Sequence, residues 1–89
     1  MTYPPLMIIG AFRYALGRMS YVVGDTVDWL IENWGDVPDQ AKRVIRNELQ
    51  SEIQRDNENR ADGAKFFALG MDCDRAEWVK LYEFIGGKK

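Results

Sequence analysis

Tyr14, Arg18, Tyr21, Asp25, Asp28 and Glu32 follow one another at steps of 4, 3, 4, 3 and 4. On a helix that spacing sets two phenols, a guanidinium and three carboxylates in one row. Gly10, Gly17 and Gly24 recur every seven residues beside it, and each glycine inside a helix costs roughly 1 kcal/mol relative to alanine. Two readings fit the row. In one it is a solvated face whose tyrosines lean on neighbouring helices while the glycines accommodate the rings. In the other it is a binding face, because Tyr and Arg are enriched where binding energy concentrates and glycine lets a second backbone come close. Arg13, Tyr14, Arg18, Tyr21 and Asp25 are then the binding residues, and Gly10, Gly17 and Gly24 are the close-packing positions. The backbone that approaches belongs to a second subunit or to a foreign partner. Arg13 and Arg18 with the tyrosines also suit a phosphate and a stacked base.

Other clusters carry less chemistry. Lys42, Arg43 and Arg46 form a secondary basic patch near a helix start. Its ordinary reading is a solvated face with ion pairs to Asp39 and its neighbours, and its functional reading is a phosphate-backbone contact. Asp72, Cys73, Asp74 and Glu77 mimic a metal or acid/base cluster, but the glycine and remaining oxygen ligands of a calcium loop are missing. One cysteine without histidine does not make a zinc site. Asp74 with Glu77 three residues later instead has the spacing of a capping box. Cys73 reads as a structural thiol, since flanking aspartates disfavour its thiolate and no histidine can activate it. With no histidine anywhere, the commonest general base and transition-metal ligand are both absent. The expectation is a protein without enzymatic activity, metal or cofactor.

Eighty-nine residues, 46% hydrophobic and 29% charged, fit one folded domain, residues 1–89, with no room for a second core. A net charge of −2 argues against nucleic acid as sole partner, because phosphate binding needs a basic face. A lone cysteine and the lack of a basic-then-apolar leader fit a reducing cytoplasm. The apolar run Leu6–Ile9 is too short to span a bilayer, so no membrane partner is expected.

The elements that must position these residues read as helices throughout. After Pro4-Pro5, which suit a helix start, Ile9, Phe12, Leu16, Met19, Val23, Val27, Leu30 and Trp34 form a seam at steps of three and four. Ile8, Ala15, Val22 and Trp29 run beside it. One continuous helix to Trp34 is about 45 Å long; a break near Gly17–Ser20 is the alternative, and the long helix, kinked or whole, is the favoured form. Gly35 suits the left-handed position after its end. A second helix starts near Pro38 and runs to about Asn57, burying Ala41, Val44, Ile45, Leu49 and Ile53. Asn57–Asp62 is a polar connector, and Asp62 caps a short turn through Phe66, Phe67 and Leu69. A last helix from Asp72 or Asp74 presents Trp78, Leu81, Tyr82 and Ile85 and ends at Gly86-Gly87. The fold class is all-α: a small bundle of three main helices plus a short one. Phe66, Phe67 and the tryptophans belong to its core.

Residues 11–23, AFRYALGRMSYVV, and 68–74, ALGMDCD, with Trp29, Trp34 and Trp78, make the chain similar to small accessory proteins of tailed bacteriophages and prophages. That resemblance implies a setting, the cytoplasm of a bacterial host, and a role in host takeover. It implies binding and inhibition of a host protein, an anti-CRISPR or other anti-defence activity being typical. Two further roles stay open. One is an oligomeric sponge that sequesters a nucleotide signal between subunits through Arg13, Arg18 and the tyrosines. The other is a virion or replication accessory protein.

Overall fold

A computed structural model describes residues 4–16, 21–63, 69 and 72–86, with the side chains of Tyr21 and Asp72 outside the description. All regular structure among them is helical. Helix α1 spans Pro5–Leu16, α2 Tyr21–Asn33, α3 Asp39–Ala61 and α4 Asp72–Phe84, and a 3-10 turn at Trp34–Asp36 follows α2.

Local chemistry explains most boundaries. Pro5 occupies the first turn of α1, where a missing N–H costs nothing, and the Pro4 carbonyl accepts from the Met7 and Ile8 amides at 3.1 and 3.3 Å. Val37 is extended (φ −75°, ψ 130°), as a residue before proline prefers. The Pro38 carbonyl then opens α3 by accepting from the Lys42 amide at 2.9 Å. Gly63 stops α3 at φ 73° and Gly86 stops α4 at φ 95°, a left-handed geometry that glycine adopts freely. Gly35 is not at a left-handed position; it sits inside the 3-10 turn. The stretch from Asn57 is not a connector but the last turn of α3, whose true stop signal is Gly63.

The long N-terminal helix is two helices. Ile8, Ala11 and Phe12 of α1 line the same cleft as Asp25, Thr26, Trp29 and Leu30 of α2. In a continuous helix Ile8 and Trp29 would lie about 30 Å apart. The apolar seam nevertheless survives the break. Ile9, Phe12, Val23, Val27 and Leu30 are all buried, and Leu16 and Trp34 pack against them. Met19, Gly17, Arg18, Phe66 and Phe67 lie outside the described residues.

The helices pack in the cyclic order α1, α2, α4, α3, and the ring closes over one apolar cluster to which all four contribute. Across its middle Phe12 meets Trp78 edge-on, with ring centroids 5.6 Å apart and planes at 86°, a favoured aromatic geometry. Trp29 and Trp34 are only half-buried at the rim of the cluster. Among the described residues, three of the four neighbouring helix pairs carry an ion pair. Arg13 grips Glu48 between α1 and α3, Lys80 reaches Asp28 between α4 and α2 at 3.3 Å, and Arg75 reaches Asp56 between α4 and α3 at 2.8 Å.

Asp56 is the most demanding of these residues because it is fully buried. Its carboxylate accepts from Arg60 Nε at 2.6 Å, Arg75 Nε at 2.8 Å and the Leu69 amide at 3.0 Å. Burial pushes its pKa up, but the hydrogen bonds from Arg60, Leu69 and Arg75 outweigh that and hold it below the ordinary carboxylate value. The position continues the buried stripe Ala41, Ile45, Leu49 at helical spacing through Ile53. The apolar pattern of α3 therefore ends in a charge that Arg60 of the same helix satisfies together with Arg75 and the Leu69 amide from outside it.

Asp56→Asn should lower the unfolding free energy at pH 7 by about 2–4 kcal/mol, less than for a wholly enclosed pair because both arginines keep partial solvent contact. A carboxylate whose folded pKa is depressed stabilises the fold above its unfolded value of about 4 and loses that contribution as the pH falls through the folded one. Urea titrations of both proteins at pH 7 and pH 3 check this: the gap between them should narrow at the lower pH.

Candidate functional site

Helix α1 is apolar around nearly its whole circumference. Ile8, Ile9, Phe12 and Ala15 face the core, and the opposite side carries Leu6, Met7, Gly10, Ala11 and Tyr14, all exposed. Leu6 is 78% exposed, Met7 53% and Tyr14 59%. The only charge on the helix is Arg13. Helices of that composition are usually covered on all sides, which makes the open half of α1 the candidate contact surface.

Helical geometry orders the surroundings of this face. On the Arg13 side lies α3. Arg13 Nε donates to both Glu48 carboxylate oxygens at 3.0 and 3.1 Å, and Nη2 to Oε2. The guanidinium holds Glu48 below the usual carboxylate range. On the Met7 side Ala11 leads into the cleft against α2, lined by Ile8, Phe12, Trp29 and Leu30, with Asp25 and Thr26 as its polar members. This α1–α2 seam is the one helix pair in the ring without an ion pair among the described residues. Beyond the cleft Asp25 and Glu32 stand exposed on the crest of α2. Asp28 is turned toward α4 and held there by Lys80. Helix α2 contains no basic residue at all.

The cleft encloses about 190 Å³, below the roughly 300 Å³ at which sites for whole organic ligands begin. It accommodates one large apolar side chain. Among the described residues no three of Cys, Asp and Glu converge as a metal ion would require, and no helix is long and apolar enough to cross a membrane.

The residues read from the sequence as one row are divided by the helix break. Arg13, Tyr14 and Gly10 stand on the exposed face of α1, while Asp25 stands across the cleft on α2. Tyr21 begins α2, and Arg18 and Gly17 lie outside the described residues. The glycines do not share one face: Gly24 points away from the cleft side of α2, and a Cβ added to Gly10 or Gly24 would meet nothing within 4 Å. Neither glycine is required by packing inside the monomer.

The basic patch disperses as well. Lys42 lies over the Trp34 ring at 5.7 Å, Arg46 donates to the Ile85 carbonyl at 3.4 Å near the end of α4, and Arg43 is exposed. None of the three forms an ion pair among the described residues, so pairing with Asp39 is not how the patch is held. Helix α4 begins at Asp72, which makes Asp74 a first-turn residue, buried, and not the start of a capping box. Glu77 turns instead to Lys80 at 2.9 Å. Cys73 is exposed, not a buried structural thiol.

Two features escaped the sequence reading. Leu6 and Met7 enter that reading only as part of an apolar run too short to span a bilayer, although apolar residues at every position of one turn cannot all face inward. Asp56 sat at the next step of the α3 stripe, with a cation four residues later, which is the signal of a buried pair. No protein-family model, curated protein or solved structure matches this chain.

Gly10→Ala is expected to raise the unfolding free energy by about 0.5–1 kcal/mol, since the methyl group enters open space and the helix loses a glycine. Thermal and urea unfolding measure it, and a destabilised variant would mean that the backbone at Gly10 is constrained from within the fold.

Proposed function

We propose that this is a non-enzymatic accessory protein of bacteriophage type that binds and inhibits a bacterial host protein by covering its surface. One observation carries the reading: α1 is apolar on both sides, and the half that the monomer does not bury is left in solvent. A fold of this size gains little by exposing Leu6, Met7 and Tyr14, and gains stability when a partner covers them. The resemblance to phage accessory proteins supplies the setting, the host cytoplasm, and the class of target, a component of CRISPR or another defence. Occlusion needs no catalytic group, which agrees with a contact face made of apolar side chains and one guanidinium.

Sequestration of a nucleotide signal between subunits has weaker support. The guanidinium of Arg13, which that role would direct at a phosphate, is engaged in a two-pronged contact with Glu48. No comparable observation favours a virion or replication role.

The test is affinity capture from the bacterial host with the native chain and with two variants, Leu6→Asp/Met7→Asp and Tyr14→Ala. These side chains are more than half exposed, so circular dichroism and melting temperature should change little. A host protein retained by the native chain should fall at least ten-fold in yield on the double variant, and substantially on Tyr14→Ala. Equal retention by folded variants removes α1 as the contact face and this reading with it.

A further inference from the structure

The charge around the apolar face is one-sided, and that asymmetry bears on what covers it. Along one flank Arg13 is neutralised by Glu48. Along the other, past the cleft, Asp25 and Glu32 rise from the crest of a helix that has no cation of its own; only Asp28 of its three carboxylates is drawn toward a lysine. An apolar strip about 18 Å long, with a side-chain-sized cleft along one edge and uncompensated carboxylates above it, complements one kind of surface. We propose, building on the reading of α1 as the contact face, that its occupant is a basic amphipathic helix of the partner protein. One large apolar residue of that helix enters the cleft between Ala11 and Trp29, and Lys or Arg residues one turn away reach Asp25 and Glu32.

The form of the occupant follows from the same surface. The described residues offer no strand edge, so an extended segment would find no backbone ladder to join, whereas a helix engages through side chains spaced at three and four residues. Gly10, at the middle of the strip with open space over it, allows the two helix backbones to approach. A second copy of this chain fits worse. A two-fold contact through the same face would bring Asp25 and Glu32 toward a helix whose single cation is already paired. An anionic lipid surface would be repelled by the same carboxylates.

Two synthetic amphipathic helices of about four turns decide the matter. They share an identical Leu/Met stripe; one is flanked by Lys and Arg, the other by Glu. Each is titrated into the full-length protein at low and moderate salt and followed by amide shifts. The basic helix should bind at least ten-fold more tightly, shift the amides of Ala11, Asp25 and Trp29, and lose part of its advantage as salt rises. Asp25→Lys/Glu32→Lys, at exposed positions, should invert the preference. The proposal is overturned by equal binding of the two peptides, by binding of neither, or by shifts elsewhere. It is equally overturned by sedimentation showing a dimer that the Leu6→Asp/Met7→Asp variant dissolves, or by binding to phosphatidylserine vesicles that this variant abolishes. If the host protein is lost on the α1 variants yet the basic peptide does not bind, only the nature of the occupant is wrong; if the variants keep the host protein, the contact face fails as well.

Discussion

A carboxylate buried as completely as Asp56 must be matched on every side, and satisfying it brings three parts of the chain together. Removal from water costs an isolated ion several kcal/mol, so the charge persists only where donors are fixed around it. Arg60 comes from its own helix one turn on, Arg75 from the first turns of α4, and the Leu69 amide from the chain between them. That convergence sets where α4 begins against α3. From there Trp78, one turn past Asp74, is carried into the middle of the bundle, where its ring meets the edge of Phe12 from the opposite helix. The polar network at one end and the aromatic contact at the centre thus fix the same element by different physics. One is directional and sensitive to pH; the other is close-packed and insensitive to it.

The remaining interhelical ion pairs distribute unevenly, and the proposed contact face lies at the gap between them. Exposed ion pairs such as Arg13–Glu48 and Lys80–Asp28 contribute little to stability, but they decide which surfaces are electrically neutral. The α1–α3 flank is closed by one of them and the α2–α4 flank by the other. Between α1 and α2 no such pair forms among the described residues, and an apolar cleft opens beside Asp25 and Glu32, for which no ion pair is formed among them. Leu6, Met7 and Tyr14, three of the four large apolar side chains exposed among the described residues, stand on the helix beside that cleft.

Much of the architecture was legible because burial imposes a period. The seam from Ile9 to Trp34, the α3 stripe from Ala41 to Ile53 and the α4 face of Trp78, Leu81 and Ile85 all emerged with helical spacing, and their described members are buried or packed on the core. Periodicity was silent on the break between α1 and α2. Each half of a helical pair needs its own apolar face, so the rhythm continues undisturbed from α1 into α2 although the two helices lie side by side. For the same reason Tyr14 and Asp25 read as members of one row when they stand on two helices across a cleft. Gly35 misled because a glycine after a helix is compatible with several turns, and here a 3-10 turn followed by Val37-Pro38 does the work.

The sequence by itself determined the helical class and the buried faces, because these depend on spacing and composition within one segment. Tertiary structure alone decided which faces stay open. Arg13 became unavailable only when α3 brought Glu48 to it, Asp56 became a junction only when α4 supplied Arg75, and the cleft exists only because α1 lies against α2. Such relations join residues far apart in the chain, and no local periodicity encodes the distance between them.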